Sequence, residues 1–113
     1  MHELSLMEGL LEIIRESAEA QGFGRVRRVV LEIGALASVE VEALRFAFEA
    51  AAPGTVAEGA VLEVESPPGL GRCPACGAGC RVASRFEACP CCGGAPLDVT
   101  GGTEMRVKAL DVE

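Results

Sequence analysis

The chain has 113 residues, half of them apolar but only 4% aromatic, and ten basic side chains against seventeen acidic ones give a formal charge of −7. That length holds one modest domain, or a small domain with a metal-stapled module, and is short for an enzyme built around a deep enclosed cleft. The negative charge repels phosphate backbones, which sets nucleic acid aside as a partner.

The N-terminal stretch MHELSLMEGLLEIIRESAEAQ is partly apolar, but Glu3, Glu8, Glu12, Arg15 and Glu16 interrupt it. Neither the unbroken apolar region of a signal peptide nor a membrane span is expected, and the chain reads as cytoplasmic. From Leu4 onward Met7, Leu10, Leu11, Ile14 and Ala18 recur at intervals of three and four, which predicts an amphipathic helix. Gly22 and Gly24 are expected to end it.

Residues 25–33 are rich in β-branched side chains, with Val29, Leu31 and Ile33 alternating against Arg28, Val30 and Glu32, the period of a strand packed on one side. Gly34 stops it. A second helix is predicted from Ser38 as N-cap, with Val41, Leu44 and Phe48 on its inner stripe and Pro53-Gly54 closing it. Phe46 lies off that stripe; it either widens the core face or marks a contact surface, and aromatic burial preference favours the core. Further strands are predicted over 60–65 and over 104–111, the latter with Met105, Val107 and Ala109 alternating with Glu104, Arg106 and Lys108.

Between those two strands the composition changes. Residues 69–97 carry all six cysteines, follow Pro67-Pro68 and have little aliphatic content. Charge divides the same way: five basic and twelve acidic side chains in 1–68, three and one in 69–97, two and four in 98–113. The predicted fold is α+β: a small three-stranded sheet with two helices, formed by 1–68 and 98–113, and an inserted zinc-ribbon module over 69–97.

Within the insert, Cys73-Pro74-Ala75-Cys76-Gly77 and Cys89-Pro90-Cys91-Cys92-Gly93 are two C-P-x-C-G turns. Thiolates three positions apart can face one ion, and a glycine after the second lets the backbone fold back toward the sulfurs. Two such turns supply the tetrahedral thiolate set of a structural Zn(II), with Cys73, Cys76, Cys89 and Cys92 as ligands. A redox pair would instead need one CxxC at a helix start beside a βαβ unit. Cys80 and Cys91 are surplus. They read as free thiols, the alternative being that Cys91 displaces Cys89 or Cys92 as a ligand. Four sulfur ligands leave no open position for catalysis.

The only histidine is His2, in Met1-His2-Glu3. An α-amine, an imidazole and the intervening amides can form the planar nitrogen set preferred by Ni(II) and Cu(II), although a histidine at this position is also compatible with a plain solvated terminus. Taken with the RVRRVVLEIGALASV, LRFAFE and EGAVLEVE segments, the paired C-P-x-C-G turns and the closing GGTEMRVKALDVE, this start makes the chain resemble the HypA (HybF) nickel-incorporation proteins along its whole length. The resemblance implies a nickel metallochaperone, not an enzyme. Ni(II) would be held by the Met1 amine, the His2 imidazole and the amides of His2 and Glu3, with the Glu3 side chain tuning the site. Zn(II) would be structural. The implied partners are a HypB-type GTPase and the large subunit of [NiFe] hydrogenase, with the chain a monomer or homodimer. Against this stands an adaptor reading, in which zinc folds the module for protein contacts and His2 is idle.

Overall fold

A computed structural model describes residues 3–84, 87–94 and 96–113. The elements run α1 (Glu3–Gln21), β1 (Val26–Ile33), α2 (Val41–Ala51), β2 (Val61–Glu65), β3 (Leu70–Arg72), β4 (Gly79–Arg81), β5 (Asp98–Gly101) and β6 (Met105–Val112). The strands form two three-stranded sheets, ordered β2-β1-β6 and β4-β3-β5, so the α+β class with two helices and an inserted cysteine module is the fold observed. The chain makes two compact units, one of Met1–Leu31, Val39–Val64 and Arg106–Glu113, the other of Glu32–Ser38 and Glu65–Met105.

In the first unit, Met7, Leu10, Leu11, Ile14 and Ala18 are all buried, as the spacing predicts. On the outer face of α1, Arg15 pairs with Glu12 and, at 2.7 Å, with Glu19. The helix stops at Gln21, with the Gly22 amide returning to the Ala18 carbonyl at 2.9 Å. β1 is the central strand. Val29, Leu31 and Ile33 are buried, and so are Val26 and Val30, so its second face is partly covered as well. Adjacent residues of β1 reach opposite neighbours: Arg27 pairs with Asp111 of β6 and Arg28 with Glu63 of β2, each at 3.0 Å.

Three expectations change. α2 begins at Val41 with Glu40 as N-cap, not at Ser38, which instead has φ 59°. The helix takes no side-chain cap from its own N-cap; the Glu3 carboxylate accepts the Glu40 amide at 3.3 Å, so a tertiary contact replaces the local one. Phe46 is 73% exposed rather than in the core. At about 100° per residue it lies roughly 200° from both Leu44 and Phe48, which are buried with Ala47. On β6 the half-buried residues are Val107, Leu110 and Val112, while Met105 and Ala109 are exposed. An edge strand is covered only where another element happens to lie over it, so strict alternation is not imposed.

In the second unit, β3 pairs antiparallel with β4 (Leu70 opposite Arg81, Gly71 opposite Cys80, Arg72 opposite Gly79) and with β5. Leu36, Val82 and Leu97 form a small buried cluster with Cys73 and Cys89, and Cys80 and Val99 pack against it. Leu36 comes from the segment after β1, outside the cysteine-rich stretch. Its amide bonds to the Gly102 carbonyl at 2.7 Å, and the Ala35 amide to the Pro67 carbonyl at 2.9 Å.

Candidate metal centre

The first cysteine turn is the connection of the β3–β4 hairpin. Cys73 follows β3 directly, its amide bonds to the Ala78 carbonyl at 2.9 Å, and its own carbonyl accepts the Gly77 amide at 2.9 Å. The second turn repeats the device, with the Gly93 amide on the Cys89 carbonyl at 2.8 Å. Both glycines have positive φ, 77° at Gly77 and 65° at Gly93, a backbone state that side chains with a Cβ resist. That is the local reason for glycine after each cysteine pair.

The turns bring the four expected thiols together. The Sγ atoms of Cys73, Cys76, Cys89 and Cys92 all lie within 4.8 Å of one another. Cys73 and Cys92 are 3.6 Å apart and Cys76 and Cys89 3.7 Å, so each thiol of one turn meets one of the other. Around Zn(II) with Zn–S bonds of about 2.3 Å, the edge of a thiolate tetrahedron is about 3.8 Å. The spacing fits that ion. Zinc bound there would crosslink the two turns and, with four sulfur ligands, offer no open position for chemistry.

The first cysteine of each pair is buried, Cys73 at 1% and Cys89 at 2% exposure, and the second is exposed. Their acidities divide the same way. The Cys76 amide, followed by that of Ala75, holds the Cys73 thiol below the usual range. The Cys92 amide, helped by that of Cys91, brings Cys89 down to about 6. At Cys76 the Ala78 amide pulls downward, but hydrogen bonds with the sulfurs of Cys73 and Cys89 outweigh it and push the thiol up to about 12. Cys92 is raised in the same manner, the Gly94 amide being outweighed by Cys73 and Cys89. Backbone N–H groups thus favour the thiolate form at Cys73 and Cys89, while Cys76 and Cys92 keep their protons and donate hydrogen bonds to those sulfurs.

The two surplus cysteines are outside this set. Cys91 is exposed, and Cys80 is half-buried beside the small core with its thiol raised by burial. Sequence reasoning missed the apolar support, Leu36, Val82 and Leu97. Only Leu36 lay far away in the chain, in a segment that reads as a link between a strand and a helix. Of the expected nickel residues, Met1 and His2 lie outside the described residues, and Glu3 is the first residue of α1, half-buried, with its carboxylate on the Glu40 amide.

A helix-and-sheet unit joined to a four-cysteine ribbon defines a small metal-binding protein of the zinc-ribbon kind. Residues 1–112 match the family described as "Hydrogenase/urease nickel incorporation, metallochaperone, hypA". The chain is 52% identical, over the full length of both, to the hydrogenase maturation factor HypA of Azotobacter chroococcum mcd 1, and equally so to that of Acidithiobacillus ferrooxidans. Its fold is similar to the solution structure of the Ni metallochaperone HypA from Helicobacter pylori, with a TM-score of 0.73 at 24% identity, covering 99% of this chain and 97% of that one. The chain belongs to the HypA family, metallochaperones of nickel incorporation in hydrogenase maturation, which are maturation factors and not enzymes. Among the described residues, no helix is long and apolar enough to cross a membrane.

Proposed function

We propose that this protein carries Ni(II) at its N-terminus and delivers it, together with a HypB-type GTPase, to the large subunit of [NiFe] hydrogenase in the cytoplasm. The observation that carries the reading is the family match over residues 1–112 in a chain whose only histidine is His2. Nickel is the cargo. Its ligands are the Met1 amine, the His2 imidazole and the backbone amides of His2 and Glu3, a planar nitrogen set that favours Ni(II) over ions requiring a tetrahedron. A terminal site has few walls, so its ligands can be exchanged one at a time against those of an acceptor.

Zn(II) is the resident metal, held by Cys73, Cys76, Cys89 and Cys92. The sulfur spacing of 3.6 and 3.7 Å supports this assignment. Functionally the chain divides into a nickel-binding part, 1–68 with 98–113, and a zinc-binding part, 69–97. The amine's role is tested by nickel calorimetry on protein with one extra residue before Met1. Tight nickel binding is expected to vanish with zinc content unchanged, and unaltered nickel affinity would remove the amine from the site.

A further inference from the structure

Among the described residues, the largest apolar side chain left in solvent belongs to α2. Phe46 is 73% exposed and, with Leu4 of α1 at 41%, walls an open groove of about 300 Å³. Its floor is Ala43, Ala47 and Ala50, and Glu3 lies at its margin. Those alanines recur at i, i+4 and i+7, so the floor is one helical stripe without bulk, on which the backbone of another helix can come close.

Among the described residues, the charged side chains that line the groove or flank Phe46 are acidic. Glu42 and Glu49, one turn before and one turn after Phe46, are both exposed and flank the ring on the side away from the alanines. Among the described residues, no lysine or arginine lines the groove. Arg45, the only cation on α2, donates to the Leu62 carbonyl at 3.1 Å and meets Glu42 at 3.9 Å.

We propose that this groove is a docking site for an amphipathic helix of a partner protein, one that presents bulky apolar side chains to Phe46 and Leu4 and lysine or arginine to Glu3, Glu42 and Glu49. Charge complementarity selects this occupant. A second copy of the chain, itself at −7, would set carboxylates against carboxylates, and an anionic bilayer would be repelled in the same way. The groove lies on helices separate from the cysteine cluster, and the docking does not depend on the nickel reading.

The probe is a helical peptide of about 18 residues with leucine on one face and lysine on the other, titrated into isotope-labelled, zinc-loaded protein and followed by NMR. Shifts are expected at Glu3, Leu4 and along Ala43 to Ala50, weakening as salt rises. Phe46→Ser should weaken binding by about tenfold or more, the loss expected of a central aromatic anchor. Glu49→Lys should weaken it too, and the same peptide with glutamate for lysine should not bind. Circular dichroism and zinc content confirm that each variant is folded. Equal binding by Phe46→Ser, equal binding of the glutamate peptide, or shifts confined to other surfaces would overturn the proposal. So would self-association, or attachment to phosphatidylglycerol vesicles, that Phe46→Ser abolishes, since a second copy or a membrane would then be the occupant.

Discussion

The carboxylate of Glu3 accepts a hydrogen bond from the backbone amide of Glu40 at 3.3 Å, joining the first turn of α1 to the N-cap of α2. An acidic group at a helix N-terminus also meets the positive end of its dipole. Glu3 therefore has a structural task as well as its proposed place beside the nickel ligands.

Replacing Glu3 separates the two. Glu3→Ala should destabilise the protein by about 1 kcal/mol, the usual loss for a missing cap, while Glu3→Gln, which keeps an acceptor, should lose less than about half of that. Urea unfolding of the zinc-loaded variants measures both. If the nickel ligand is the Glu3 amide, nickel affinity should survive Glu3→Gln, because the backbone nitrogen is retained.

The cysteines divide into four that hold zinc and two that do not. Cys73→Ser or Cys89→Ser should reduce bound zinc from about one ion per chain to less than about a tenth and unfold the ribbon, whose own core is only a few side chains. Cys80→Ala and Cys91→Ser should leave zinc content unchanged. Mass spectrometry of the intact protein gives the stoichiometry. Loss of half the zinc in Cys91→Ser would show that Cys91 shares the site.

Zinc uptake should release protons. In the metal-free protein near pH 7, Cys89, held at about 6, is largely a thiolate, and Cys73 is shifted the same way, whereas Cys76 at about 12 and the raised Cys92 keep their protons. Binding should then expel at least the two protons of Cys76 and Cys92 per ion, and affinity should fall as pH falls. For the metal-free fold, the sign follows from the same shifts. The depressed Cys89 contributes stability that is complete above the unfolded thiol value of about 8.5 and is lost as pH falls through about 6. The raised Cys76 works in reverse, its contribution being lost as pH rises through about 12. Calorimetry in buffers of different ionisation enthalpy counts the protons.

A backbone contact in the ribbon unit gives a sharper stability test. A Cβ at Gly34 would lie 2.1 Å from the Gly102 carbonyl oxygen, and one at Gly102 2.5 Å from the Gly69 Cα. The Leu36 amide bonds to that same Gly102 carbonyl. Gly34→Ala should therefore cost about 3 kcal/mol, the upper end for overpacking, and loosen Leu36 from beneath the cysteines. Gly9→Ala, where a Cβ meets nothing within 4 Å, is the control and should be neutral or slightly stabilising. Thermal unfolding of the zinc-loaded proteins compares them.

What could be read in the sequence was whatever local periodicity decides. The inner stripe of α1 follows from intervals of three and four, and the zinc ligands follow from two turns with the same spacing, because both are set within a few residues. What could not be read depends on distant partners. The start of α2 moved from Ser38 to Val41 because Glu3, far away in the chain, supplies its cap. Phe46 is a different case: its spacing already set it off the stripe of Leu44 and Phe48, and the general burial preference of aromatic side chains pointed the wrong way. Leu36 has no periodic pattern to mark it, and only the folded ribbon shows that it supports Cys73 and Cys89.

Whether nickel is held through His2 and separately from zinc is decided by titrating Ni(II) calorimetrically into untagged, zinc-loaded wild type and His2→Ala. One tight nickel site is expected in wild type, with its loss in His2→Ala at unchanged zinc content and weaker binding as pH drops through the imidazole range near ~6.5. Equal nickel affinity in the two proteins, independent of pH over that range, would contradict nickel binding through His2 and favour an adaptor whose zinc serves only to fold it.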